Sequence, residues 1–155
     1  MVRITRKTPK LDKLQKEVKY LSKHGVKVGV FGSKAEQEQD GVKIYEYALY
    51  LNFGTVFMPE RPFFDKAVKH KSGRNLIIAE QKEILRLVYN GTLTGKQGLT
   101  QLGIFIKQQI QEQIMSNDFA PLKAKTIKYK EKNKGNILRE NDFLLNSINY
   151  EIVRI

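Results

Sequence analysis

Leu11, Leu14, Val18 and Leu21 recur at helical spacing with lysines between them. The spacing predicts an amphipathic N-terminal helix that ends near His24-Gly25 and lies on a sheet. Val26, Val28 and Val30 then alternate with Lys27 and Gly29, the period of a half-buried strand. The polar run from Ser33 to Gly41 breaks that pattern and is expected to be a mobile loop. Ile44, Tyr47, Ala48 and Leu51 restore the helical period, and a short extended piece from Thr55 to Met58 is expected to pair with the valine strand. Pro62 to Asn90 reads as one long helix weakened near Ser72-Gly73, and Gln97 to Met115 as a second, with Leu99, Leu102, Ile106, Ile110 and Ile114 in one stripe. Two helices of similar length joined at Asn90-Gly91 can form a hairpin. Ala120-Pro121 opens a short basic helix through Lys132, Asn133 to Asn136 form a polar loop, and Ile148, Tyr150 and Ile152 alternate as a last strand. The predicted class is α+β: a small antiparallel sheet packed against two long helices, with shorter N-terminal and C-terminal helices.

The 155 residues have the size of one domain, with residues 1–25 as a basic N-terminal helix and 26–155 as the core. A domain of this length should bury roughly 70% of the surface its unfolded chain exposes, so it can fold without a staple. The chain has no cysteine, which excludes disulfides, iron–sulfur clusters and thiolate zinc sites. No continuous apolar run suggests a signal peptide or a membrane span, and no membrane association is expected.

Charge alters the picture more than size does. The net charge is +12, and it is unevenly placed: residues 1–30 hold nine Lys/Arg against two acids, residues 123–139 seven against one, and residues 31–60 two against five. Basic ends around an acidic centre suit a subunit that packs head to tail. Clustered lysines also suit a nucleic-acid partner, through counterion release from phosphates. Because arginine, the better residue for bidentate contacts, is scarce, weak nonspecific DNA contact is favoured over sequence reading.

Candidate chemistry is sparse. His24 and His70 are far apart, with no carboxylate at ligand spacing, so no metal site is expected. Gly91-Thr-Leu-Thr-Gly95-Lys96-Gln97 has the outline of a phosphate-binding loop, but it is one residue short between the glycines, puts Gln97 where a hydroxyl is needed, and follows a helix. It reads as the turn between the long helices. The acids at Glu36, Glu38 and Asp40, and at Glu140 and Asp142, fall in polar loops without a neighbouring histidine. Neither catalysis nor a cofactor is expected from them. Tyr45, Tyr47, Tyr50 and Phe53 are of a type that stacks on bases, but their helical spacing is expected to turn some to the core and others to a neighbouring subunit.

The segment Leu51 to Phe64, LNFGTVFMPERPFF, reads as a rigid elbow between two helices. Gly54 can take the positive φ that closes a helix, and Pro62 has the fixed φ of a first helical turn. Arg61 stands among Phe57, Phe63 and Phe64, where it can bridge an acid or stack on a ring across an interface, or satisfy carbonyls of its own fold.

With this elbow, Thr126-Ile127-x-x-Lys130 and Leu144-x-x-Ser147-Ile148, the chain resembles the head-tail joining and tail-completion proteins of tailed bacteriophages and prophages. Those proteins typically order a valine-rich strand with glycine, a helix ending in Glu-Phe-Gly-Thr, Pro-Ala-Arg-Pro-Phe opening a long helix, a second long helix, Thr-Ile-x-x-Lys, and Leu-Ile-Asp-Thr-Gly-x-Leu-x-x-Ser-Ile before a strand. Here Asn52, Phe53, Gly54, Thr55, Pro59, Glu60, Arg61, Pro62 and Phe63 take the elbow positions, and the likeness runs from Val26 to Val153. Glu60 replaces an alanine, Asn52 a glutamate, and Asn141-Asp142 a Thr-Gly whose left-handed turn Asn or Asp can also adopt. The resemblance implies a non-enzymatic virion protein that forms a homo-oligomeric ring with neck or tail proteins and passes through the bacterial host cytoplasm during assembly. Whether the free subunit is a monomer stays open. It further implies that Phe53, Arg61 and Phe63 fix the elbow at an interface, and that exposed strand edges and the Ser33 to Gly41 loop are ordered against neighbours.

Overall fold

A computed structural model describes residues 8–39, 41–129, 136–138 and 142–155. In chain order the elements are α1 (Pro9–Leu21), β1 (His24–Val30), β2 (Glu38–Gln39), β3 (Val42–Lys43), α2 (Ile44–Phe53), α3 (Phe63–Val68), α4 (Lys71–Tyr89), α5 (Gly95–Met115), α6 (Ala124–Tyr129), α7 (Phe143–Ser147) and β4 (Ile148–Arg154). The fold is α+β: a two-stranded antiparallel sheet packs against long helices.

β1 pairs with β4 in a register that sets Val26 opposite Ile152, Val28 opposite Tyr150 and Val30 opposite Ile148. The Tyr150 ring lies against Gly103 of α5, so this apolar face covers the helix. The opposite face carries the cross-strand pair Lys27 Nζ–Glu151 Oε1 at 3.1 Å. Alternation along the valine strand therefore has its expected cause: one side meets a helix and the other meets water.

The central element is α5. Thr94 caps it: the Thr94 hydroxyl oxygen accepts from Gln97 N and the Gln97 side chain accepts from Thr94 N, a reciprocal box that fixes the turn after α4. Gln97 is thus a capping residue, in line with the loop's reading as a turn. Two close approaches need glycine here. A Cβ on Gly98 would meet Ile84 of α4 at 2.7 Å, and one on Gly103 would meet the Tyr150 ring at 2.3 Å. Ile110 and Ile114, further along the stripe, enter a core with Ile44, Ala48, Leu51, Phe63, Ala67, Leu138, Leu144 and Ile148.

Several elements depart from the sequence-based expectation. α1 docks mainly on α5 instead of the sheet, and Leu11 and Val18 of its apolar stripe are exposed. Its docking face is set by Glu17, whose Oε2 accepts from Gly95 N at 2.7 Å, and by Tyr20 and Leu21 against Gly95. A carboxylate at the N-terminus of α5 satisfies a free backbone donor and complements the helix dipole. The helix expected from Pro62 to Asn90 is broken at Lys69–His70, ahead of Ser72-Gly73. Gly73 lies inside α4 because α3 folds back onto it: a Cβ there would fall 2.0 Å from the Ala67 carbonyl oxygen.

The segment from Ser33 onward is anchored, in contrast to the expected mobile loop. Ala35 is buried, Tyr45 N donates to Ala35 O at 3.2 Å, and β2 and β3 form a short hairpin. Thr55 to Met58 does not pair with β1; Thr55 and Met58 bridge each other across a tight turn. The basic C-terminal helix begins at Ala124, after Ala120-Pro121, and its expected end at Lys132 and most of the Asn133–Asn136 loop lie outside the described residues. Asp142 takes a φ of 56°, the left-handed conformation expected of an Asn-Asp pair in place of Thr-Gly.

Candidate functional site

α2 ends at Gly54, whose φ is 73° and ψ 175°. A side chain there would also collide with the returning chain, since a Cβ would lie 2.9 Å from Glu60 N. The chain leaves in a turn closed by Thr55 N to Met58 O at 2.8 Å and Met58 N to Thr55 O at 3.2 Å. The Thr55 hydroxyl oxygen accepts from Phe57 N and Met58 N at 3.3 and 3.1 Å. A threonine that satisfies the amides two and three residues ahead is a local lock, and it rigidifies the four-residue tip. Val56 and Phe57 form its apex and are 96% and 87% exposed.

The inner side of the elbow is built oppositely. Arg61 N donates to Leu51 O at 2.7 Å, and the Asn52 side-chain oxygen accepts from Phe64 N at 3.1 Å. Phe63 is only 2% exposed and belongs to the core. Arg61 is 4% exposed; its Nε donates to Ala120 O at 3.1 Å and one terminal nitrogen to Pro121 O at 3.4 Å. Burial pushes its guanidinium below its ordinary value, and nearby Tyr47 acts in the opposite direction. Lys66, one turn into α3, grips the same segment between α5 and α6: its Nζ donates to Asp118 O at 2.6 Å and to Asp118 Oδ2 at 2.9 Å.

Arg61 thus satisfies carbonyls of its own chain, one of the two roles open to it. Pro59 and Pro62 flank it, Pro62 directly preceding α3. Phe53 alone of the interface trio is exposed, at 65%. The C-terminal motif divides in the same way. Leu144 and Ser147 are buried, with the Ser147 hydroxyl donating to Leu144 O at 2.7 Å, whereas Thr126 and Ile127 are exposed on α6. Lys130 lies outside the described residues, as do Asp40 and Glu140.

Beside the elbow lies a concavity of about 560 Å³, between the end of β1, α2 and α3. Phe31, Ala48, Leu49, Phe53, Phe63 and Phe64 give it a mainly apolar wall, and Glu36, Asp65 and Lys69 lie at its margin. Two of these acids are already paired, Glu36 with Lys43 and Asp65 with Lys69, each at 2.9 Å. Sequence reading missed this groove because its wall joins the end of β1, one side of α2 and the start of α3, which only tertiary packing brings together. The tip was legible in principle, as a threonine after Gly54 and three residues before Met58 is a turn signal.

A smaller cleft of about 170 Å³ is polar, lined by Ser33, Lys34, Lys107, Asn146 and Asn149 among others. The Asn149 side-chain oxygen accepts from Tyr150 N at 2.9 Å, which turns its amide NH₂ towards Gly32. Among the described residues no group of three His, Asp or Glu could hold a metal ion, and no helix is long and apolar enough to cross a membrane. No family model, curated protein or solved structure matches the chain.

Proposed function

We propose that this chain is a structural subunit of a tailed-phage neck or tail, acting in head-tail joining or tail completion through protein contacts instead of turnover. The observation that carries the reading is the elbow: a helix closed at Gly54, an exposed apolar tip, and Arg61-Pro62-Phe63 leading into the next helix, in the order seen along the resembling proteins. A tip as apolar and exposed as Val56-Phe57 contributes nothing to the subunit's own core, and an uncovered apolar patch on a soluble fold is a contact surface. Both strands of the sheet also have a free outer edge among the described residues.

The test has two arms. Light scattering of the purified protein across concentration and salt should give a discrete, ring-sized oligomer at high concentration, indifferent to added DNA at physiological salt. In a phage or prophage that encodes the protein, its deletion should leave filled heads and tails unjoined. Normal tailed particles from the deletion would end this reading.

A second reading, a basic nucleic-acid-binding protein of a phage or mobile element, draws on the polar cleft. Lys34 and Lys107 both line it, and neither has an ion-pair partner among the described residues. Two free ammonium groups and an amide NH₂ suit a backbone phosphate. DNA retention that falls steeply with salt, with a slope reduced by about one per lysine in Lys34→Ala and Lys107→Ala, would favour it.

A further inference from the structure

We propose that the Val56-Phe57 tip of one copy seats in the apolar groove between α2 and α3 of a second copy, so that each subunit offers one tip and receives another. The inference rests on the reading of this chain as an assembling subunit and names the self-contact.

Knob and hole are both visible in the single chain. The tip carries the two most exposed large hydrophobic residues among those described, and they are held out by backbone and Thr55 hydrogen bonds, not by side-chain packing. The groove has the opposite defect, an apolar wall that no described side chain fills, and at about 560 Å³ it lies in the size range of sites that enclose small ligands. A valine and a phenylalanine side chain fit such a space. The tip cannot fill its own groove. Phe53 lines the groove from the last turn of α2, but residues 54–58 do not line it, and Gly54 packed against Glu60 fixes the tip beyond the helix end.

Charge sets the same orientation. Glu60 follows the tip and has no ion-pair partner among the described residues, while Lys69 on the groove margin is held only by an exposed pair with Asp65. Seating the tip brings Glu60 of one copy towards a cation of the next, which favours a second copy of this chain over an unrelated apolar peptide.

Tip and groove are different surfaces, so the contact is heterologous and propagates into a closed ring or an open filament. It is also small. A buried phenylalanine removes roughly 150–250 Å² from water, and a valine adds less, against about 800 Å² per partner in a stable complex. The contact alone is therefore weak: the subunit is a monomer when dilute and associates when concentrated or when neighbours align it.

The native chain has no cysteine, so single thiols can be placed without background. Val56→Cys at the tip and Leu49→Cys on the groove wall are purified separately, mixed in equal amounts at high concentration, and treated with a short bis-maleimide. Both sites are exposed, so the folds should survive. The expected result is a mixed 56–49 product in several-fold excess over either like-with-like product, abolished when the tip chain also carries Phe57→Ser. Excess 56–56 product would mean a tip-to-tip contact and overturn the proposal. Absence of the mixed product under conditions where light scattering shows an oligomer would also overturn it, leaving assembly to another surface and the neck or tail reading intact. A strong mixed product together with normal particles from the deletion would do the reverse: the contact would stand and the phage role would fall. If neither oligomer nor mixed product appears at the highest soluble concentration, the self-contact is wrong and the groove belongs to a different partner.

Discussion

Phe57 and Phe63 are the same residue, six positions apart on one elbow, and they have opposite fates. Phe63 is sealed in the core and Phe57 stands 87% in water, while Arg61, a permanent cation between them, is 4% exposed. Burial here follows backbone geometry instead of side-chain hydrophobicity. The turn locked by Thr55 points its apex outward, and the return through Leu51 O and the Ala120 and Pro121 carbonyls draws the arginine in. The difference separates two jobs held in one loop. Its inner side stabilises the subunit, and its outer side does nothing for the subunit alone.

Substitutions on the two sides should separate accordingly. The largest effect is expected for Phe63→Ala, which opens a cavity at a site packed by α2 and α5. A loss of about 3–5 kcal/mol is typical of such a change, and at roughly 2–4 °C per kcal/mol for a chain of this size the melting temperature should fall by about 6–20 °C. Arg61→Ala comes next, at about 2–4 kcal/mol, because it removes packing and leaves two carbonyls without their donor. Thermal denaturation that shows less than about 1 kcal/mol would mean that water replaces the arginine at those carbonyls. Gly54→Ala should cost about 1–3 kcal/mol from the positive φ and the clash with Glu60 N; an unchanged denaturant midpoint would show that the turn can relax. Phe57→Ala should be the smallest, within about 0.5 kcal/mol in chemical denaturation, yet it should weaken concentration-dependent self-association in sedimentation. A Phe57→Ala loss comparable to that of Phe63→Ala would erase the distinction on which the comparison depends.

Much of the fold could be read from the chain because local signals and tertiary packing agree there. The valine strand, the final alternating strand and the α5 stripe face the elements that their periods predict. The failures share a physical cause. At α1, docking on α5 uses Glu17 and Tyr20 beside Leu21 and leaves Leu11 and Val18 of the stripe in water. At Gly73, a glycine that looked like a weak point is a contact point, and the break moved to Lys69–His70. At Thr55 to Met58, four residues with strand-like composition closed on themselves because Thr55 could bond their amides. The elbow's position and its glycine were legible, but the direction each side chain faces was not. Arg61 finds its acceptors about 60 residues away, and no local pattern encodes that partnership.

The pairing of β1 with β4 bears on how the molecule is made. Lys27 meets Glu151 across 124 positions of sequence, so the sheet joins an early segment to a late one. At about 5–20 residues per second, β1 leaves the ribosome roughly 6–25 s before its partner strand does. Throughout that interval a valine-rich segment lacks its partner strand. Its alternate lysine and glycines, at Lys27, Gly25 and Gly29, lower the tendency of nascent copies to pair with one another before β4 arrives.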